Sequence, residues 1–463
     1  MSLQGAHASS EGALAPREHR IGEPAHAVEG SGASARWLVL AGACALVMLA
    51  ATLEIVLDGA LGHSSLIPKS PTIAGWLQGV GERLGFRIFL IALLAFSGAY
   101  AGLLLLLARS PLKGMLEQRR AMRWAIALIA VLQLVVFVGP ILLSTDVFSY
   151  IAYARMGVLH GINPYLNGPI SIKGDAVYKY VGSDWRHTAT AYGPLYTLLS
   201  YPLALLGFVG SLWAMKLVAL LASFATLALT WRCARQRELS PVPALLALGA
   251  NPLYVIYGLG GAHNDLIMTA FMMGAVTLTF AGRDAPAAAA VVLGALIKAT
   301  TAALLPFMVL ARRNTATIVG ALLALVLVAL ASLPAFGLHG LDVVAALNRD
   351  AALVSTDSFA TEIAHLFGKP GVFPIDHDLL KLALLAIVVH LAWRTWRGYD
   401  WVAASGWTLL AISVTSTWLL AWYTLWSLPL AVVTRDRRLL WATLAIQALF
   451  IAHQTAPLFS PVS

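Results

Sequence analysis

The sequence predicts an all-α, polytopic membrane protein, and three observations carry that prediction. Charged residues make up 11% of the 463 residues, against roughly 25% in a soluble domain. Hydrophobic residues make up 59%, and the mean hydropathy is +0.78; a soluble chain of this size cannot bury that much apolar surface. Apolar runs close to the ~20 residues needed to cross a bilayer recur along the chain. Disordered, collagen-like and disulfide-scaffold classes fall by the same arithmetic.

Residues 1–36 are polar and rich in Gly, Ala, Ser and His. They read as a disordered cytoplasmic tail, since a cleavable signal would place its apolar segment nearer the start. The spans are expected near 37–57, 86–108, 124–143, 211–231, 242–257, 265–282, 316–336, 379–397, 401–419 and 439–456. Shorter apolar pieces lie near 194–210, 286–298, 300–311 and 421–434. Cys44 and Cys233 fall in or next to spans and form neither a disulfide framework nor a metal motif.

The net charge is +9, from 31 basic and 22 acidic residues. A nucleic-acid surface would gather such charge on one soluble face. Here the arginines form short clusters between apolar runs, where they set membrane orientation, and no nucleic-acid partner is expected. Loop 109–123 carries Arg109, Lys113, Arg119, Arg120 and Arg123 against Glu117, so it belongs inside. Arg232, Arg235 and Arg237, then Arg312–Arg313 and Arg435–Arg438, belong inside too. Loop 144–193 then falls outside, as does the acidic stretch 337–378. Parity holds if 194–210 lies along or dips into the outer face, 286–311 forms a short helical pair, and 421–434 crosses after a break. This gives about 13 crossings in one integral domain, 37–463, with the C-terminus outside.

The chemistry concentrates in the first outer loop. At 100° per residue, Asp146, Ser149, Tyr150, Tyr153 and His160 share an arc of about 100°. Val147, Phe148, Ile151, Ala154, Val158 and Leu159 cover the other side, so an interfacial helix lying apolar side down is expected. Asp146 at its start is either an N-cap or a general base kept ionised by the helix N-terminus. The two roles are compatible, because Ser144 or Thr145 can cap. Gly161-Ile162-Asn163-Pro164-Tyr165 and Tyr192-Gly193-Pro194-Leu195-Tyr196 are turns; their aromatics are bilayer-belt anchors or site walls. Between them Lys173, Lys179, Arg186 and His187 either cradle a phosphate or attract anionic headgroups. Arg186 and His187 are the better phosphate candidates because they precede the returning segment.

Two more clusters are expected at the same face. Asn251-Pro252 is followed by Gly258-Leu259-Gly260-Gly261-Ala262-His263-Asn264-Asp265. Three consecutive polar residues in an apolar hairpin are expensive unless they work or are fully paired. Asn264 and Asp265 alternatively cap a helix. His263 has three readings: phosphate binding, sugar orientation or metal ligation. No HExxH or comparable ligand set supports a metal, so none is expected as a requirement, with a divalent ion kept as the alternative. Trp422-Tyr423 lies in an aromatic, Pro-containing stretch suited to sugar stacking or a lipid-chain groove, or to the belt. Lys298, between short apolar helices, is expected to snorkel; reaching the site is the alternative.

The strings TDVFSYIAYARMGVLHGINPY, AYGPLYTLLS, NPLYVIYGLGGAHNDLIM and AWYTLWSLPLAV resemble the GT-C superfamily of lipid-dependent glycosyltransferases. More narrowly, they look like the polyprenol-phosphomannose-dependent α-1,6-mannosyltransferases of bacterial lipoglycan and mannan synthesis. The resemblance runs from about residue 124 to the end of the chain. It implies a GT-C fold, a donor sugar on a polyprenyl monophosphate, use on the extracytoplasmic side of the bacterial cytoplasmic membrane, and inversion. It puts Asp146 in the catalytic-base position. It aligns His263-Asn264-Asp265 with a family motif, and Trp422-Tyr423 with a late motif near the donor groove. Ala421 stands where the pattern leads one to expect Pro.

The expected partners are therefore a polyprenyl-phosphate sugar, a lipid-linked or glycan acceptor, and membrane lipid. Arg186, His187, Tyr192, His263, Asn264, Asp265, Trp422 and Tyr423 are the candidates for holding donor phosphate and sugar. Tyr150, Tyr153, Asn163, Tyr165 and Lys298 are the supporting set. Loop 337–378 is expected to meet the acceptor. Glucose or arabinose as donor sugar remains open. A transporter is the rival class, disfavoured because transport sites lie near the midplane whereas these clusters gather at one surface. A non-catalytic scaffold is the third reading.

Overall fold

The computed structural model describes residues 29–60, 86–109 and 115–459. The expected tail lies outside the described residues as far as residue 28, as does Lys113. From Glu29 the chain is already helical in α1 (Glu29–Ala60), with no Pro between there and Trp37 to stop it. Then follow α2 (Phe86–Arg109), α3 (Met115–Val138), α4 (Asp146–His160), α5 (Pro194–Ala204), α6 (Gly207–Gln236) and α7 (Pro241–Gly249). Next come α8 (Asp265–Phe280), α9 (Asp284–Ala295), α10 (Leu304–Arg312) and α11 (Thr315–Phe336). The chain continues through α12 (Val343–Asp350), α13 (Phe359–Leu366), α14 (Pro374–Trp396), α15 (Trp401–Thr415) and α16 (Arg437–Thr455). No strand occurs among the described residues.

Among the described residues, six helices are long and apolar enough to span a membrane: Val39–Gly59, Arg87–Arg109, Glu117–Val138, Gly207–Gln236, Thr315–Asp350 and Arg437–Leu458. A seventh is α7 taken together with the wide helix Leu253–Leu259, which meet at 48°. Four apolar helices among the described residues are shorter: Asp265–Phe280, Asp284–Ala295, Ala299–Arg312 and Trp401–Thr415. Segment 194–210 does not cross: α5 has 11 residues, about 16 Å against a hydrocarbon core of ~30 Å. It turns at Gly207 (φ +71°) into α6.

The two ends of the bundle differ in charge. At one end Arg237 pairs with Asp400, Arg312 with Asp284, and Arg435 with Glu238. Asp436 there accepts hydrogen bonds from Tyr399 and Trp407. Arg237 also sits over the Phe280 ring at the last turn of α8, whose first residue, Asp265, lies at the other end. The stretch after α15 starts near Asp265 and passes through a single helical turn, Leu428–Ala431. It finishes at the basic end, beside Arg237, whose carbonyl accepts from Arg435.

Buried polar groups fix the bend after α7. Asn251 donates to Gln447 at 2.8 Å and to Tyr100 at 3.2 Å; Tyr100 donates to the Ala247 carbonyl at 2.6 Å. Gln133 donates to the Gly249 carbonyl and accepts from Ser223. A network satisfied on this scale holds one arrangement of the break in a water-poor setting. Lys216, 3% exposed within α6, donates to the Gly139 carbonyl just past the end of α3. Its ammonium lies over Trp213 at 4.2 Å. A cation at a helix C-terminus is favourable, and here it anchors the start of the segment leading to Asp146.

Gly193 sets how closely the first loop meets the α9–α10 turn. Its N–H donates to the Ile297 carbonyl at 3.2 Å, and that of Leu195 to Leu296 at 3.1 Å. A Cβ on Gly193 would lie 2.0 Å from the Leu296 oxygen, inside any tolerable contact. Gly193→Ala is expected to cost about 1–3 kcal/mol by overpacking, read as a lower thermal midpoint in detergent. An unchanged midpoint would mean that this approach relaxes freely.

Candidate active site

The end of the bundle away from the arginine pairs holds a cavity of about 390 Å³, a volume typical of small-ligand sites. Its walls come from the start of α4, the first loop, the α9–α10 turn, α12, the stretch after α15 and the end of α16. Asp146, Ser149, Tyr153, Tyr192, Lys298, Trp422 and Tyr423 line it.

Asp146 opens α4 without acting as its cap. Its own N–H donates to Ser144 Oγ at 3.1 Å, and its side chain stays 18% exposed, with one carboxylate oxygen 3.5 Å from His263 Nδ1. His263 follows Ala262, which is held at φ +51°, a sparsely populated conformation for a residue with a side chain. The imidazole is fully buried and stacks on Trp422 at 3.7 Å and 25°. Neither ring nitrogen finds a hydrogen-bond partner of good geometry. His263 thus backs two cavity groups at once, Asp146 and Trp422.

Asp265 and Lys298 form the second element. Asp265 is 1% exposed and accepts from Lys298 Nζ at 2.8 and 2.9 Å, and from the Trp426 indole. The ammonium lies 4.7 Å from the Tyr423 ring centre and 5.2 Å from that of Trp426. Lys298 therefore does not snorkel: a buried carboxylate draws it into the site and leaves it 17% exposed at the cavity wall.

The family profile described as Alpha-(1->6)-mannopyranosyltransferase, N-terminal domain, matches residues 36–314, more than half the chain. The chain belongs to this mannopyranosyltransferase family. It is 27% identical over 329 residues to alpha-(1->6)-mannopyranosyltransferase A of Mycobacterium tuberculosis, covering 64% of this chain and 63% of the relative. It is 32% identical over 179 residues to the protein of that name in Corynebacterium glutamicum, 38% of this chain and 36% of the relative. A third relative, alpha-(1->6)-mannopyranosyltransferase B of the same Corynebacterium, is 26% identical over 162 residues, 32% and 26% of the two chains. The chain thus spans less than two thirds of the length of these relatives.

In this member of the mannopyranosyltransferase family the first loop departs from expectation. The apolar side of α4 meets protein instead of lipid. Phe148 packs on Tyr180 and Phe208, and the helix is buried from Val147 through Ala154. Tyr150 is also covered, edge-on to Tyr192 and Tyr196, and its hydroxyl reaches Asn264 Oδ1 at 3.4 Å. Asn264 lies behind the cavity wall, buried. Asn163 and Tyr165 shape the loop: Asn163 donates to the Phe336 carbonyl, Tyr165 to that of Tyr192.

Arg186 and His187 do not reach the cavity. Arg186 is spent on the Val181 and Lys179 carbonyls and the Tyr178 ring, and His187 is exposed. The cations that line the cavity are Lys298 and Arg349, the latter bound to Asp350 at 2.8 Å. Arg349, Asp350, Trp185 and Trp418 also line the cavity; they carry no motif, and the sequence singled out none of them beyond the expectation that loop 337–378 meets the acceptor.

The far end of α4 is tied to the loop by Asp175, which binds Arg155 Nε and His160 Nε2, each at 2.9 Å. Burial raises the Asp175 pKa, but the bonds from Arg155 and His160 outweigh it and leave it below the ordinary carboxylate value. A depressed folded pKa stabilises above the unfolded value of about 3.9, and that contribution is lost as pH falls through the folded one. The amide protection factors of loop 161–190, taken relative to intrinsic exchange at each pH, are expected to fall below about pH 4. Asp175→Asn should exchange faster already at neutral pH; equal exchange in variant and wild type would refute the tie.

Proposed function

We propose that the chain transfers mannose from a polyprenyl monophosphate to a hydroxyl of a lipid-linked or glycan acceptor. The bond formed is α-(1→6), with inversion, on the extracytoplasmic face of a bacterial cytoplasmic membrane. The observation that carries this reading is the pairing, within one cavity, of an open carboxylate, Asp146, with a fixed ammonium, Lys298. The names borne by the relatives support mannose and the linkage.

In the proposed reaction the acceptor oxygen attacks the anomeric carbon, and the bond from that carbon to the phosphate oxygen breaks. The bonding pair leaves with the phosphate, whose growing charge Lys298 stabilises. Asp146 takes the hydroxyl proton. His263 holds Asp146 in place from behind, and Trp422 and Tyr423 pack on the donor. The orientation rests on the arginine clusters, which gather at the end opposite the cavity and mark the cytoplasmic side.

The test is transfer by the purified protein in lipid, with radiolabelled polyprenyl-phosphate mannose and a lipid and glycan extract as acceptor. Label in a new product supports the reading. Transfer from another polyprenyl-phosphate sugar but not mannose would correct the donor, and no transfer from any such donor would overturn the reading.

A further inference from the structure

We infer that Trp185, Trp418 and Asp350 form a subsite for a pyranose ring of the acceptor, so that the acceptor is recognised as a glycan and not only through a lipid. This inference rests on the transferase reading above. The three residues come from separate parts of the chain and meet on the wall of the same cavity. Trp185 and Trp418 stand edge to face with ring centres 6.2 Å apart and planes at 78°. Such a pair covers one face of one indole, and both rings are only half-buried. An open indole face beside carboxylates suits a sugar, whose C–H face packs on the ring while its hydroxyls donate to the acids.

Both platforms are held. Trp185 sits in a tight turn, Ser183–Trp185, against Gly182, where a Cβ would touch Thr145 Oγ1 at 2.9 Å and the Trp185 ring at 3.3 Å. Thr145 precedes Asp146, so this platform adjoins the base. Trp418 lies between two residues clamped to the second outer loop. The Ser355 N–H donates to the Thr417 carbonyl at 2.8 Å, and the Leu419 N–H donates to Ser355 Oγ at 3.0 Å. The Thr417 hydroxyl also donates to the Leu353 carbonyl. The loop carrying Asp350 and Asp357 therefore fixes the indole, and Asp357 lines the cavity as well. Asp350 is ion-paired to Arg349 and Asp357 lies 3.2 Å from His453, so this wall has its guanidinium already engaged by a carboxylate and still offers oxygens that accept hydroxyls. The ammonium of Lys298, by contrast, lies with Tyr423 and Trp426, which leaves the donor phosphate its own wall.

The experiment is calorimetric binding of a short α-(1→6)-linked mannose oligosaccharide to the full-length protein in nanodiscs, with no donor present. Wild type is expected to bind, and Trp418→Ala and Trp185→Ala to bind about tenfold or more weakly. Trp418→Phe and Trp185→Phe keep a ring face and are expected to recover part of the loss, at thermal midpoints equal to wild type. In turnover, the alanine variants should raise acceptor KM and leave donor KM unchanged. Equal affinity in wild type and alanine variants, or no binding to folded wild type, overturns the subsite. So does displacement of the sugar by polyprenyl phosphate alone. Tryptophan-dependent binding without transfer from any donor would uphold the subsite while the transferase reading failed.

Discussion

Asp146→Asn is expected to lower transfer by about 10²–10⁴-fold, the usual worth of a positioned general base. Asparagine keeps the size and the contact with His263 but cannot take a proton. The variant should fold and bind donor as wild type does, because the start of α4 is capped through Ser144 and the lost carboxylate holds no helix together. Single-turnover rates with saturating donor read the effect. A variant that transfers at the wild-type rate would remove Asp146 from the reaction.

The Asp265–Lys298 pair gives the second large effect, in stability as well as rate. Asp265→Asn leaves the ammonium without its counter-charge and takes a charged acceptor from the Trp426 indole. Breaking one side of a buried pair costs about 3–5 kcal/mol, which should appear as a marked drop in the thermal midpoint in detergent. Replacing both residues, as Asp265→Leu with Lys298→Met, removes the uncompensated charge and should recover most of that midpoint. The double variant should still fail to transfer, since the phosphate would leave without a cation beside it. Recovered stability together with recovered transfer would make the pair purely structural. An Asp265→Asn midpoint equal to wild type would mean that the pair is not buried in solution as it is here.

The fold was legible in the sequence because membrane helices announce themselves by length and composition. The runs beginning near residues 37, 86, 211, 316 and 439 became long helices within a turn or two of the expected bounds, apart from the eight residues by which α1 starts early. Asp146, His263 and Trp422 could be picked out because polar or aromatic residues break otherwise apolar strings. The surroundings of α4 were not legible. A 100° periodicity identifies an apolar side, but says nothing of whether lipid or Phe208, some sixty positions onward in the chain, will cover it. Lys298 failed for a related reason: its partner lies 33 residues away, and a lone lysine in an apolar stretch reads as snorkelling until the carboxylate is seen. Arg186 looked like a phosphate ligand by its position in the loop, but backbone carbonyls left bare by the tight turns claimed it. Trp185 and Trp418 belong to no motif, and the clamp at Ser355 that helps hold the second joins residues more than sixty positions apart.

The bond from Trp426 to Asp265 joins residues 161 positions apart, and this has a consequence for biogenesis. At synthesis rates of about 5–20 residues per second, roughly 8–30 s pass between the ribosome's making Asp265 and its making Trp426. Lys298 appears early in that interval; the aromatic wall appears at its end. Throughout it, a charged pair and the fully buried His263 must wait inside a membrane, or beside the insertion machinery, with their apolar cover still unmade. A nascent chain stalled in that window would present to the lipid the same polar cluster that the finished protein hides.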